Sequence, residues 1–264
     1  MKMSMRISTP TVFFRYFGSK VRMSRTYPYP RHTTVVEPFA GASGYSTFHA
    51  RRIVRAILCD VDPVVAGIWS YLIRASEEEV LRLPLVRMDD DVNSFAIPQE
   101  AKWLIGMWMN IPNSHGTCIP STKPSKYMQK WSGIYTNGFW GEHVRERIAR
   151  NMHLIRGWEA RCCRYDECEV AGDATWMIDP PYQRVHAKYA GMRHDIDYGT
   201  LGNWCRSRRG QVIVSESMDA DWLHFRPANM LRRTRNNKFG KRHSARAVEA
   251  LWLNDWEEKN ADVA

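Results

Sequence analysis

The chain is poor in the features that mark several common protein classes, and each absence excludes something. No apolar run approaches the roughly 18 residues that cross a bilayer, so no membrane span is expected. Met1 to Arg6 is basic but has no apolar stretch behind it, and no secretory leader is read there. Six cysteines (Cys59, Cys118, Cys162, Cys163, Cys168 and Cys205) form no CxxC pair, and no second cluster completes a tetrahedral zinc set. All six are therefore expected as reduced thiols that mostly serve packing, without a metal, in a soluble cytoplasmic protein. GxGxxG is absent, which removes the dinucleotide fingerprint. Repeats, low-complexity tracts and a nuclease motif are also lacking. Acid is scarce relative to base: 28 Asp and Glu against 38 Lys and Arg, a net charge of +10. Such an excess favours polyanionic partners, because basic side chains release condensed counterions on meeting phosphates.

What is present describes a globular α/β chain. Hydrophobic residues are 44% and charged residues 25% of 264, enough for one good core with room for a smaller module. Short β-branched or large apolar runs predict strands over Thr33–Glu37, Ala56–Asp60, Thr175–Asp179 and Gln211–Ser215. Three of these end in an acid (Glu37, Asp60, Asp179) and the fourth is followed by Glu216. The carboxyl ends of strands are where open α/β sheets place ligands. Helical spacing appears over Tyr45–Arg52, Pro63–Arg74, Glu100–Met109, Tyr198–Cys205 and His143–Trp158. In the last, Val144, Ile148, Met152 and Ile155 form an apolar stripe. Strands alternating with helices imply a mostly parallel, doubly wound sheet. Between about Pro84 and Asn137 the pattern changes: Pro, Ser, Gly and Thr dominate from Ile111 to Ser125, and aromatics then interleave with lysines. This reads as an insertion outside the sheet.

The sharpest chemical signal is Asp179-Pro180-Pro181-Tyr182, directly after an apolar strand. Two prolines cannot continue a ladder and create a rigid turn with free carbonyls. Flanked by an acid and an aromatic ring, that turn suits a planar amine: Asp179 and the Pro180 carbonyl accept its two hydrogens, and Tyr182 stacks on the ring that carries it. A plain strand-terminating Pro-Pro turn is the competing account of this motif alone. A second motif, Glu37-Pro38-Phe39-Ala40-Gly41-Ala42-Ser43-Gly44, lies between a strand and a helix, where glycine lets backbone approach a ligand closely. Third, Leu58-Cys59-Asp60-Val61-Asp62-Pro63 ends a strand in an acid, the usual acceptor for ribose hydroxyls in nucleotide-binding βαβ units. Upstream, Phe14-Arg15-Tyr16-Phe17-Gly18-Ser19-Lys20 joins aromatics, a glycine and a lysine.

In order and spacing these four motifs resemble the DNA adenine methylase family, amino-methyltransferases of the α arrangement, especially the versions common in bacteriophages. The resemblance implies a Rossmann-like doubly wound sheet of the S-adenosylmethionine-dependent methyltransferase type, formed by residues 1–74 and 159–264, with a target-recognition insertion over 75–158. It implies transfer of a methyl group from S-adenosylmethionine to N6 of a flipped-out adenine in double-stranded DNA. The implied catalytic set is Asp179, Pro180, Pro181 and Tyr182. The implied cofactor set is Tyr16, Lys20, Glu37, Pro38, Phe39, Gly41, Gly44, Asp60, Tyr165, Asp166 and Asp179, with Asp60 on the ribose and either Asp166 or Asp173 towards the adenine. Two departures stand out: Gly-Ala-Ser-Gly replaces the family's Gly-x-Gly pairing, and Arg164 precedes Tyr165 where an acid is usual. DNA contacts are expected from Lys123, Lys126, Lys130 and Arg145 on phosphates and from Tyr127 or Trp131 as a wedge. The acid-free stretch Arg226–Arg246, with Arg232, Arg233, Arg235, Lys241 and Arg242, is expected to meet phosphates as well. Amine methylation of RNA or of a protein glutamine, and a DNA-binding module without turnover, are the alternatives.

Overall fold

The computed structural model describes residues 12–110, 119–124, 139–184, 196–228 and 248–256. Seven strands form one sheet: β1 Thr34–Glu37, β2 Arg55–Asp60, β3 Glu159–Cys162, β4 Ala174–Ile178, β5 Gly210–Ser217, β6 Arg226–Pro227 and β7 Glu249–Leu253, in the order β3-β2-β1-β4-β5-β7-β6. The first five are mutually parallel. β7 runs antiparallel to both β5 and β6. Sequence order reverses between β1 and β4, so the chain leaves those two strands in opposite directions and opens a crevice at their carboxyl ends.

Alternation along each strand sorts side chains between two apolar layers. Val35, Leu58, Met177 and Ile213 enter one core, while Val36, Ile57, Trp176 and Val212 enter the other. Both faces are therefore covered, which is why these strands read as continuous apolar runs. On the second face lies α6, Tyr198–Arg206, started by Asp197, whose carboxylate accepts from Gly199 and Thr200 N–H. The first face carries α1, Gly44–His49, and α2, Pro63–Arg74. α2 begins with Asp62 accepting from Val64 N–H and proline in its first turn, a combination that satisfies an orphan donor and presets φ.

Residues 75–158 add α3 Glu77–Leu81, α4 Gln99–Met109 and α5 Glu142–Asn151, but no strand among the described residues. Their apolar faces join the first core: Leu104, Trp108, Val144 and Ile148 pack in the same cluster as Trp69 of α2 and Val35 of β1. Each such fully buried side chain stabilises by about 1.5–3 kcal/mol.

The structure departs from the sequence reading in several places. β3 was not expected. It is short and half-exposed at the sheet edge, and Glu159 on it pairs with Arg55 and Arg161 rather than packing. The long helix expected over His143–Trp158 ends at Asn151 and tightens into a 3-10 turn over Met152–Ile155. The chain turns there towards β3, and Gly157 passes so close to the Val54 carbonyl that a Cβ would lie 2.8 Å from it. Finally, the cysteines are not all reduced: Cys59 and Cys168 form a disulfide with Cα atoms 6.5 Å apart, across 109 residues of sequence. Parallel pairing of β2 with β3 brings them together, a proximity that spacing in the chain does not reveal. Cys162, Cys163 and Cys205 are free, and Cys118 lies outside the described residues.

Candidate active site

A cavity of about 250 Å³ opens at the carboxyl ends of β1, β2 and β4, at the reversal point of the sheet. Its wall holds Tyr16 to Lys20 from the N-terminal segment, the Gly-rich loop, Asp60 and Asp62, Arg164 to Asp166, and Asp179 with Pro181. Three strand-end acids that are far apart in sequence thus converge in one place.

The Gly-rich loop is shaped by hydrogen bonds to two buried carboxylates. Glu37 Oε1 accepts from Ser43 Oγ at 2.7 Å and from Ser46 N–H at 2.8 Å at the start of α1. Burial pushes its carboxyl up to about 7, against the pull of those donors. Asp60 Oδ2 accepts from Gly41 N–H at 2.9 Å and its Oδ1 from Asp62 N–H at 2.9 Å; burial raises this acid to about 6. Trp69 Nε1 donates to the Gly41 carbonyl at 2.8 Å.

Gly41 and Ser43 both have left-handed backbones, with φ of +45° and +46°. Ser43 is an L-residue in this conformation, and its hydroxyl bond to Glu37 offsets part of the strain. Gly44 is required for a different reason. A Cβ at that position would lie 2.5 Å from Val21 N and 2.8 Å from Lys20 backbone atoms. The N-terminal segment can therefore cross the loop only over a residue without a side chain.

That crossing delivers Lys20 to Asp179. Lys20 Nζ lies 2.9 Å from Asp179 Oδ1, 3.1 Å from the Gly18 carbonyl and 4.7 Å from the centre of the Tyr182 ring. Burial raises Asp179 to about 6, even though the Lys20 ammonium pulls the other way. Behind the tetrapeptide, Glu249 Oε1 of β7 accepts from Tyr182 Oη at 2.9 Å, from Ser215 Oγ at 2.8 Å and from Tyr27 Oη. Tyr198 Oη donates to the Pro181 carbonyl at 2.6 Å, and Glu216 Oε2 accepts from Gln183 N–H at 3.1 Å. The carboxyl side of the Pro-Pro turn is thereby fixed.

At the far end of the cavity Phe39 stacks on Tyr165, with centroids 5.4 Å apart and planes 24° apart, and Tyr165 meets Trp204 edge-on. Arg164 forms two hydrogen bonds with Asp166, at 3.0 and 3.1 Å.

All the residues predicted for the cofactor except Pro38, which is buried beneath the loop, lie on this wall. Asp179 and Pro181 line it too, with Pro180 and Tyr182 set back from it. Of the two acids considered for the far end, Asp166 is at the cavity, whereas Asp173 pairs with Arg209 at 3.1 Å and is not part of the wall.

Against known proteins, no family model matches the chain and no curated protein matches it. The geometry alone therefore carries the functional argument.

The predicted DNA contacts fare differently. Lys123 is well exposed, with Nζ 4.0 Å from Asp91 Oδ2. Arg145 is engaged within the protein, its Nη1 donating to the Leu83 carbonyl at 2.5 Å. Lys126, Tyr127, Lys130, Trp131, Arg232, Arg233, Arg235, Lys241 and Arg242 lie outside the described residues. Sequence reasoning missed Tyr27, Ser215 and Glu249 as site residues. The available signal was an acid at the start of an otherwise apolar last strand, Glu249-Ala250-Leu251-Trp252-Leu253. Among the described residues no group of three or more His, Cys, Asp or Glu is arranged to hold a metal, and no helix is long and apolar enough to cross a membrane.

Proposed function

We propose that the protein is an S-adenosylmethionine-dependent methyltransferase acting on the exocyclic N6 amine of adenine in DNA. One observation carries this reading. Asp179 shares the cavity with the Gly-rich loop, and it is paired with the Lys20 ammonium, a nitrogen cation held at the face of the Tyr182 ring. A carboxylate beside an aromatic ring, next to a nucleotide-type pocket, is the arrangement that methylation of a planar amine requires.

The residues present fit the cofactor. Six carboxylates line the cavity (Glu37, Asp60, Asp62, Asp166, Asp179 and Asp197) against two basic side chains, Lys20 and Arg164. In a chain of net charge +10, an acid-rich cavity suits a ligand that carries a sulfonium and an ammonium group. Asp60 and Asp62 offer acceptors for a ribose, and Phe39 and Tyr165 flank the far end. When bound, the cofactor supplies the methyl group.

The protein's part is positioning and electrostatics. Adenine's amine is a weak nucleophile because its lone pair is delocalised into the ring. Accepting both N–H hydrogens, through Asp179 and the Pro180 carbonyl, favours the pyramidal nitrogen whose lone pair attacks. Glu249 fixes the Tyr182 hydroxyl, so the ring is held at the orientation against which the flipped base stacks.

The test is nucleoside mass spectrometry of DNA from cells without their own adenine methylases, expressing the wild type or Asp179→Ala. N6-methyladenine with the first and none with the second is the expected result. Methylated cytosine, or unmodified DNA in the presence of folded, cofactor-loaded protein, would overturn the reading.

A further inference from the structure

Beyond the cavity, two arginines meet on one tryptophan, and among the described residues neither is paired with a carboxylate. The Arg15 guanidinium carbon lies 5.0 Å from the centre of the Trp108 ring, and that of Arg147, on α5, lies 4.9 Å from the same ring. Arg15 also lies 5.4 Å from the Phe139 ring. Trp108 is itself pinned, Nε1 donating to the Phe13 carbonyl at 2.8 Å, and Arg15 Nη1 donates to the Asn110 carbonyl at 3.1 Å. Arg147 Nε and Nη2 are shielded from solvent and have no hydrogen-bond partner. Residues 101–141 contain no Asp or Glu, so this part of the chain offers neither arginine a counter-charge. Burial and the neighbouring Arg147 bring the Arg15 pKa down to about 10, the mark of two like charges held together out of water.

Folding two guanidinium groups onto one ring without an acid is costly unless an anion completes the site. Contact with the aromatic rings holds the planar guanidinium groups, and the unpartnered Arg147 N–H groups are donors for an oxyanion, a use for which arginine is better shaped than lysine. Arg15 immediately precedes Tyr16 of the cavity wall, so the cluster and the cavity share one N-terminal segment.

We infer that Arg15, Trp108 and Arg147 form a phosphate site that grips the backbone of the DNA strand carrying the target base. This inference rests on the proposed DNA substrate. It assigns phosphate contact to Arg15 and Arg147, in place of Arg145, whose guanidinium is committed to Leu83.

The experiment is a salt titration of duplex DNA binding, read by fluorescence anisotropy, for wild type, Arg15→Gln, Arg147→Gln and Arg147→Met. The last keeps an apolar stem on Trp108 in case the glutamine variant fails to fold. Each variant should lower the slope of log affinity against log salt by about 0.9, the amount expected for one lost phosphate contact. S-adenosylmethionine affinity, by calorimetry, should stay unchanged. Wild-type slopes in folded variants, with DNA still bound and methylated, would overturn the phosphate site and leave the proposed function intact. Absence of DNA binding by the wild type would instead overturn the proposed substrate. Inorganic phosphate that raises the wild-type melting temperature but not that of Arg147→Gln, with unchanged DNA slopes, would assign the site to free phosphate and reject the DNA strand.

Discussion

At the scale of single residues, the cavity depends on carboxyls held in unusual protonation and on one missing side chain. Asp179 is raised to about 6 by burial, and its ionised form is the stronger acceptor for the amine hydrogen that it takes beside the Pro180 carbonyl. Methyl transfer is therefore expected to fall as pH drops below about 6, with kcat/KM following that acid limb; a flat profile down to about pH 5 would contradict the role. Glu37, raised from 4.5 to about 7, keeps a proton in the folded chain that the unfolded chain releases. Its contribution to stability therefore falls as pH rises across that interval, each unit of displacement being worth about 1.4 kcal/mol. Glu37→Gln keeps an acceptor for Ser43 and Ser46 and removes the charge. Its thermal melts should shift upward at about pH 8 and depend less on pH between about 5 and 7. Gly44→Ala would set a methyl group against the Lys20–Val21 backbone. Overpacking of this kind costs about 1–3 kcal/mol. Melting temperature and S-adenosylmethionine affinity should both drop, since the displaced segment carries Tyr16 and Lys20.

Among the elements, β7 does more than extend the sheet. Running antiparallel beside β5, it brings Glu249 level with Ser217 at the carboxyl end of that strand, behind the Pro-Pro turn. Three hydroxyls, those of Tyr27, Tyr182 and Ser215, end on its carboxylate. Glu249→Ala leaves them without that acceptor, at a cost of about 1–3 kcal/mol for the buried groups. Loss of tyrosine orientation should lower kcat more than it changes KM for DNA, with Glu249→Gln recovering part of the loss. Equal effects on both constants in a fully folded variant would argue that Glu249 serves stability alone.

For the whole molecule, two features of charge and packing set expectations. Acid gathers in the cavity while the chain as a whole is basic. Raising salt should therefore weaken DNA binding steeply and leave cofactor binding nearly unchanged, which calorimetry and anisotropy on one preparation can compare. Helices α4 and α5 share their apolar core with α2 and β1. Ile148→Ala, at the centre of that shared layer, should cost about 2–5 kcal/mol and move a single unfolding transition seen by both circular dichroism and tryptophan fluorescence. Two separated transitions would show that the inserted segment folds by itself.

The sequence by itself determined the periodic elements: α2 has the expected bounds, and four parallel strands lie within a residue or two of the apolar runs that announced them. Burial on both faces leaves that signature in any parallel strand. It also determined which residues could do chemistry, because Asp-Pro-Pro-Tyr and the Gly-rich turn are local objects whose backbone consequences follow from their composition. Only the tertiary structure decided what those residues touch. Glu37 and Asp60 hold the loop, Gly44 admits a crossing backbone, and Lys20 reaches Asp179 across 159 residues of sequence. β3 stayed hidden because an edge strand is half-exposed and carries charged side chains. The Cys59–Cys168 disulfide and the Arg15–Trp108–Arg147 cluster stayed hidden because both join segments that only the sheet order and the packing of α4 and α5 bring together. Composition and period are properties of a segment, whereas contact between segments is a property of the folded chain.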